Sequence, residues 1–236
     1  MQVNNWPIFI QRALFPCHCA LCGNKLGDRS GLCPDCRTEL PFNHSACPIC
    51  ALPVTNSEVR SCGRCIRRPP PFAASQVPLL YQPPVNHLIG EFKFRHRLHL
   101  ALPLSRLFCT ELPSRLSRPD LILPVPLHPR RLRERGFNQS LELARRIAAE
   151  LQLKIDWRSC RRLRATPPQS NLDQHARRKN LRSAFVADPG LAGRHIALFD
   201  DVITTGATVT AVSRALLRAG ASRVDVWALA RTPLPY

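Results

Sequence analysis

The stretch Ile196-Ala-Leu-Phe-Asp-Asp-Val-Ile-Thr-Thr-Gly-Ala-Thr208 carries the most specific pattern in the sequence. An apolar run ends in two adjacent carboxylates, Asp200 and Asp201, passes through a hydroxyl-rich turn with one glycine, and opens a helical pattern. That succession reads as strand, loop and helix N-terminus. The first turn of a helix leaves backbone N–H groups unpaired and pointing outward. Together with the hydroxyls of Thr204, Thr205 and Thr208, the N–H groups of the loop, those of Gly206 and Ala207 included, can cradle a phosphate, and Gly206 lets the backbone approach closely. Asp200 and Asp201 stand at the carboxyl end of the strand, where ligands of open α/β sheets bind. Carboxylates placed there can accept hydrogen bonds from vicinal sugar hydroxyls.

The pattern extends to both sides. Strands are predicted over 76–81, 121–125, 195–199 and 223–230, and helices over 140–151 and 207–219. Such alternation implies an α/β domain with a parallel sheet and flanking helices. In the first helix Leu141, Ala144, Ile147, Ala148 and Leu151 share one stripe. The second turns Val209, Val212, Leu216 and Ala219 inward, carries Arg214 and Arg218 toward its C-terminal end, and stops at Gly220.

The chain has 236 residues, 44% of them hydrophobic, enough for one medium domain and a small appendage. Nine of its 11 cysteines fall between Cys17 and Cys65, and Pro69, Pro70 and Pro71 follow as a stiff joint. The expected division is a zinc-binding module over 1–68 and the α/β domain over 72–236. Disulfide frameworks belong mainly to short secreted domains, and no secretion signal is visible. Four Cys-x2-Cys pairs instead suit tetrahedral Zn²⁺. Two structural zinc ions are expected, one on Cys19, Cys22, Cys33 and Cys36, the other on Cys47, Cys50, Cys62 and Cys65. The same pairs also fit an interleaved arrangement. Cys17 breaks the spacing and reads as a bystander. No apolar run reaches the roughly 18 to 20 residues of a membrane span, and a cytoplasmic protein is expected.

The net charge of +18 is unevenly placed. Residues 1–66 hold 6 basic and 4 acidic side chains, whereas residues 128–182 hold 15 Lys or Arg against 5 Asp or Glu. The field of that segment attracts polyanions, whether a phosphorylated small molecule or nucleic acid.

The stretch 196–208 resembles the signature of type I phosphoribosyltransferases, which bind 5-phosphoribosyl 1-pyrophosphate (PRPP), and the resemblance covers roughly residues 75–232. Adding the cysteine module, Arg135-Gly-Phe-Asn-Gln139 and Arg177-Arg-Lys-Asn-Leu-Arg-Ser-Ala-Phe185, the whole chain resembles the ComF/GntX family, a double zinc ribbon ahead of a phosphoribosyltransferase-like domain. The resemblance implies that Asp200 and Asp201 lie by the ribose hydroxyls and that 204–208 holds the 5′-phosphate. It places a pyrophosphate loop at Pro126 and Leu127, backed by Arg133 and Arg135, whose planar guanidinium groups suit phosphate oxygens. The basic stretch 160–182 resembles the family's mobile flap, with Gln169, Arg177 and Asn180 as contacts made on closure. Mg²⁺ is expected to accompany PRPP, and His128 is the one general-base candidate. The implied role is in competence, DNA uptake or use of external DNA, as a phosphoribosyltransferase or as a sensor that kept the ligand site. The alternative is a partner that binds or processes single-stranded DNA on the basic face, with the ribose-phosphate site regulatory or vestigial.

Overall fold

The computed structural model describes residues 17–28, 30–55, 61–114, 117–164 and 184–233. Six strands form one parallel sheet in the order β3 (Ala74–Gln76), β10 (Arg223–Arg231), β9 (His195–Ile203), β5 (Leu121–Pro124) and β6 (Lys154–Ile155), with β4 (Leu79–Leu80) also pairing with β10. The central strands β9 and β10 read as nearly continuous apolar runs because both of their faces are covered. Ala197, Phe199, Trp227 and Leu229 point to one face, and Ile196, Leu198, Val226 and Ala228 to the other.

Helices α3 (Val85–Phe94), α4 (Ala101–Thr110) and α6 (Gln139–Glu150) cover the first face through Leu88, Phe92, Leu104, Phe108 and Leu143. Helix α7 (Ala207–Arg218) covers the second through Val209, Val212 and Leu216, beside an antiparallel ribbon of β7 (Cys160–Arg162) and β8 (Phe185–Ala187). The α/β fold class expected from the sequence is the one observed.

Several boundaries differ. The strand predicted over 76–81 divides in two at Pro78, which has no N–H for the ladder. The strand predicted to end at Phe199 runs on to Ile203, because its pairing with β10 continues through Asp200↔Ala228 and Ile203↔Arg231. On α6 the buried stripe is Ser140, Leu143, Ala144, Ile147 and Ala148, while Leu141 and Leu151 at its margin are only half-buried. The last full turn of α7 ends with Ala219 half-buried and Gly220 in the left-handed region, φ +94°, where a side chain is strained. Residues 160–162 belong to β7, so the basic stretch starts from a strand.

The cysteine segment is fastened to this domain along one sheet edge. Asn43 N–H donates to Pro78 O (2.7 Å), Leu80 N–H to Pro41 O (2.8 Å) and Ser75 N–H to Pro48 O (2.9 Å). Cys19, Leu32 and Leu40 join the core of the first face, and Ala51 joins that of the second. Arg37 reaches Glu111 at 2.6 Å beyond α4. Gly31, at φ +80°, lies so close to α4 that a Cβ would run into the Pro103 ring. Gly31→Ala is therefore expected to destabilise the fold by about 2–4 kcal/mol, from left-handed strain plus overpacking. An unchanged midpoint in chemical denaturation would contradict this seating. Among the described residues no helix is long and apolar enough to cross a membrane.

Candidate functional site

The two cysteine quartets come first in the chain. Cys19, Cys22, Cys33 and Cys36 bring their sulfurs within 4.8 Å of one another, and so do Cys47, Cys50, Cys62 and Cys65. The grouping is sequential, and Cys17, half-buried in β1 (Cys17–His18), stands outside it. A tetrahedron with Zn–S bonds of about 2.3 Å has edges of about 3.8 Å. Cys22 and Cys33 are 3.7 Å apart and Cys50 and Cys62 are 3.6 Å apart, so the donor set fits that ion.

Backbone amides also suit thiolates here. Cys33 N–H points at Cys19 Sγ (3.4 Å) and Cys62 N–H at Cys47 Sγ (3.3 Å). Burial alone raises the Cys19 thiol, but N–H groups of Cys22, Cys33 and Leu21 outweigh it and bring the thiol down to about 6. Four thiolates close the shell, leaving no open position for water, so both sites are structural.

The second locus lies at the carboxyl ends of β9 and β5. Asp200 is half-buried and accepts from Ser140 Oγ (3.1 Å) and from the Asp201 N–H (2.9 Å). Asp201 is buried; its Oδ1 accepts from Val202 N–H (2.9 Å), and its Oδ2 is in contact with the ammonium of Lys93 on α3. Burial raises the Asp200 carboxyl to about 6, against the opposing pull of Lys93, Ser140 and Arg162. Lys93 is brought down to about 8 by burial, with Asp200 opposing and Arg135 and Arg131 adding to the shift.

After β9, Thr204 is exposed and Thr205, Gly206, Ala207 and Thr208 are half-buried. Gly206 begins α7 at φ +78° with no side chain to cap it, and Thr205 Oγ1 accepts from Ala207 N–H (3.3 Å). The first turn of a 12-residue helix thus opens onto the loop.

Opposite it, Pro126 and Leu127 are half-buried between β5 and α5 (Pro129–Arg135). Arg131 and Arg135, four residues apart, share the helix face whose field reaches Lys93, whereas Arg133 is exposed. Arg135 donates to Gln139 (2.6 Å) and lies over the Phe94 ring. His128 caps α5, its Nδ1 accepting from Arg130 N–H (3.2 Å), which leaves only Nε2 for other work.

The run 135–139 joins α5 to α6. Gly136 ends α5 in the left-handed region, Phe137 packs on Phe92, and Asn138 caps α6 while its amide holds Val125 O (3.1 Å). Gln169, Arg177 and Asn180 lie outside the described residues.

Lys93, Ser140, Arg131 and Arg162 were not foreseen. Lys93 leaves one trace, a basic residue set between Phe92 and Phe94; the approach of Arg162 to Asp200 depends on the ribbon and has no sequence signal.

Residues 10–66 match the model of the double zinc ribbon domain. The DNA utilization protein YhgH of Escherichia coli O157:H7 is 40% identical over 86% of this chain and 91% of its own length. Competence protein F of Haemophilus influenzae is 31% identical over 91% and 95%. Among solved structures, glutamine phosphoribosylpyrophosphate amidotransferase from B. subtilis aligns over 53% of this chain and 25% of its own at 20% identity, with a TM-score of 0.37. With identity of this level spread over both the cysteine module and the sheet domain, the chain belongs to the family of the DNA utilization protein YhgH and competence protein F.

Proposed function

We propose that this protein binds PRPP, or another ribose 5-phosphate ester, at the carboxyl ends of β5 and β9, and that it works in the uptake or use of external DNA. The observation that carries the reading is the pair Asp200–Asp201 directly ahead of a helix N-terminus whose N-cap is Gly206, in contact with Lys93, whose own field comes from Arg131 and Arg135. In it, Thr204 to Thr208 hold the 5′-phosphate and Asp200 and Asp201 accept from the ribose hydroxyls. Leu127 N–H beside Pro126, with Arg131 and Arg135, faces the pyrophosphate, and Arg133 adds its charge from the exposed side of α5. Gln169, Arg177 and Asn180 are the proposed contacts on closure. The DNA role is supported by what the relatives are named for, and the cytoplasm is the proposed location, because thiolate zinc sites persist where thiols stay reduced.

Such a site suits pentosyl transfer. An acceptor lone pair attacks C1, the C1–O bond breaks, and pyrophosphate leaves with the electron pair, its charge met by the arginines of α5. A sensor uses the same contacts without that step. Among the described residues the groups of three or more metal-ligating side chains are the two cysteine quartets. Mg²⁺ would thus arrive with the pyrophosphate oxygens rather than in a protein cage.

The test is calorimetric titration of the zinc-loaded protein with PRPP and Mg²⁺. Saturable binding is expected, weakened by about 10-fold or more in Asp200→Asn and Asp201→Asn, as for loss of a hydrogen bond to a charged group, with zinc content unchanged. Affinity should fall as pH drops through about 6, where Asp200 takes up a proton. Asp200→Asn should keep only the part of that fall due to the ligand's own phosphate. The raised Asp200 value also means that the folded protein gives up stability as pH rises from about 4 to about 6. Asp200→Asn should therefore be no less stable than the parent at pH 7 while binding PRPP worse.

Single-stranded DNA is the second reading. Exposed Phe94 and Trp157 lie under Arg135 and Arg158, the stacking-plus-cation pattern that takes unpaired bases. Equal PRPP binding by both aspartate variants, with salt-sensitive binding of an oligothymidylate instead, would favour it.

A further inference from the structure

The second cysteine quartet lies directly behind the loop that follows β9. Arg231, the last residue of β10, is 1% exposed. Its Nε donates to Cys50 O (3.1 Å) and its Nη1 to Ile203 O (2.8 Å), to Thr232 O (3.0 Å) and to Thr204 O. Arg64, between Cys62 and Cys65, donates to Thr205 O (3.1 Å). Three consecutive carbonyls, those of Ile203, Thr204 and Thr205, are therefore turned toward the quartet by two arginines anchored on it.

A trans peptide places its N–H opposite its C=O. Holding these carbonyls back turns the N–H groups of Thr204, Thr205 and Gly206 to the other side, as the successive donors of an anion nest. Among the described residues the first quartet has no such part. Its fastenings run to α4 through Gly31 against Pro103 and beyond it through Arg37 to Glu111.

Resting on the reading of the loop as a phosphate site, we infer that Arg231 and Arg64 are positioning residues that couple the second quartet to the loop, so that metal held by Cys47, Cys50, Cys62 and Cys65 and anion bound at Thr204–Thr208 stabilise each other. Linkage makes the coupling reciprocal: whatever factor the metal contributes to anion affinity, the anion contributes to metal retention.

The experiment follows zinc release from the full-length protein to a chromogenic chelator, with and without saturating ribose 5-phosphate, whose binding is measured separately by calorimetry. Ribose 5-phosphate is expected to slow release of one of the two ions by about 5-fold or more, within the usual span of coupling between sites. In Cys19→Ser, which lacks the first site, the remaining ion should show the effect. Arg231 is buried and its replacement risks misfolding, so half-buried Arg64 carries the test. Arg64→Met should keep two zinc ions but lose the slowing and bind ribose 5-phosphate more weakly, and Arg64→Lys, which retains a donor, should restore part of both. Normal ligand binding with no change in release, or slowing confined to the first-quartet ion, overturns the coupling and leaves the phosphate site standing. Absence of binding to the zinc-loaded parent overturns the phosphate site itself and the coupling with it.

Discussion

Lys93→Met is expected to destabilise the protein by about 3–5 kcal/mol at pH 7, the range for removing one partner of a buried ion pair. The Lys93 ammonium is in contact with Asp201 Oδ2, and their side chains are only 14% and 4% exposed. With methionine at 93 the Asp201 carboxylate keeps the Val202 N–H on one oxygen and faces an apolar wall with the other. Equilibrium denaturation measures the loss. Lys93→Met/Asp201→Asn should recover most of it, because two buried charges replaced together carry no desolvation penalty, and the coupling of the pair is the difference from additivity. The double variant should nevertheless bind PRPP worse than the parent. Stability regained without binding would mark the pair as kept for the ligand; binding regained with stability would make it a packing feature.

The second large effect concerns metal. Cys47→Ser should hold one zinc ion per chain in place of two and lose the ordered structure around residues 47–55 and 61–65, since apparent binding free energies of structural zinc reach about 10–16 kcal/mol and serve as folding free energy. The damage should spread to the sheet, because Pro48 and Ile49 carbonyls accept from Ser75 on β3 and Ala51 packs in the second-face core. Cys33→Ser should likewise lose one ion. The sequential quartets give a sharper check in the pair Cys19→Ser/Cys33→Ser, which removes two ligands of one site and should leave one zinc. Metal analysis showing none in that double variant would restore the interleaved arrangement.

Much of this was legible in the sequence because each local pattern agreed with the fold. The apolar run into Asp200, the glycine at 206 and the helical period beyond describe strand, turn and helix, and all three occur there. The Cys-x2-Cys spacing marked the pairs for a similar reason, since a two-residue turn by itself brings two sulfurs to one ion, whereas their grouping into quartets is set by the fold. What escaped depends on contacts between distant segments. Lys93 and Asp201 are 108 positions apart, and Arg231 meets Cys50 across 181. Helix α3 went unassigned because its apolar positions follow two prolines and contain Gly90, and α4 because Pro103 reads as a breaker although its first-turn position is tolerated. Arg133 and Arg135 looked alike in a run of arginines. The helix settles which side each takes, setting Arg131 with Arg135 and leaving Arg133 exposed.

Whether the loop from Thr204 to Thr208 holds the 5′-phosphate is read residue by residue from backbone amide NMR of the ¹⁵N-labelled, zinc-loaded protein. On titration with PRPP and Mg²⁺ the amide shifts of Thr204, Thr205, Gly206, Ala207 and Thr208 are expected to move together and to saturate, with smaller changes at Leu127 and Asp201. Amides of 204–208 that stay in place while PRPP binds, or shifts confined to the arginine-rich residues 130–164, would contradict that placement of the phosphate.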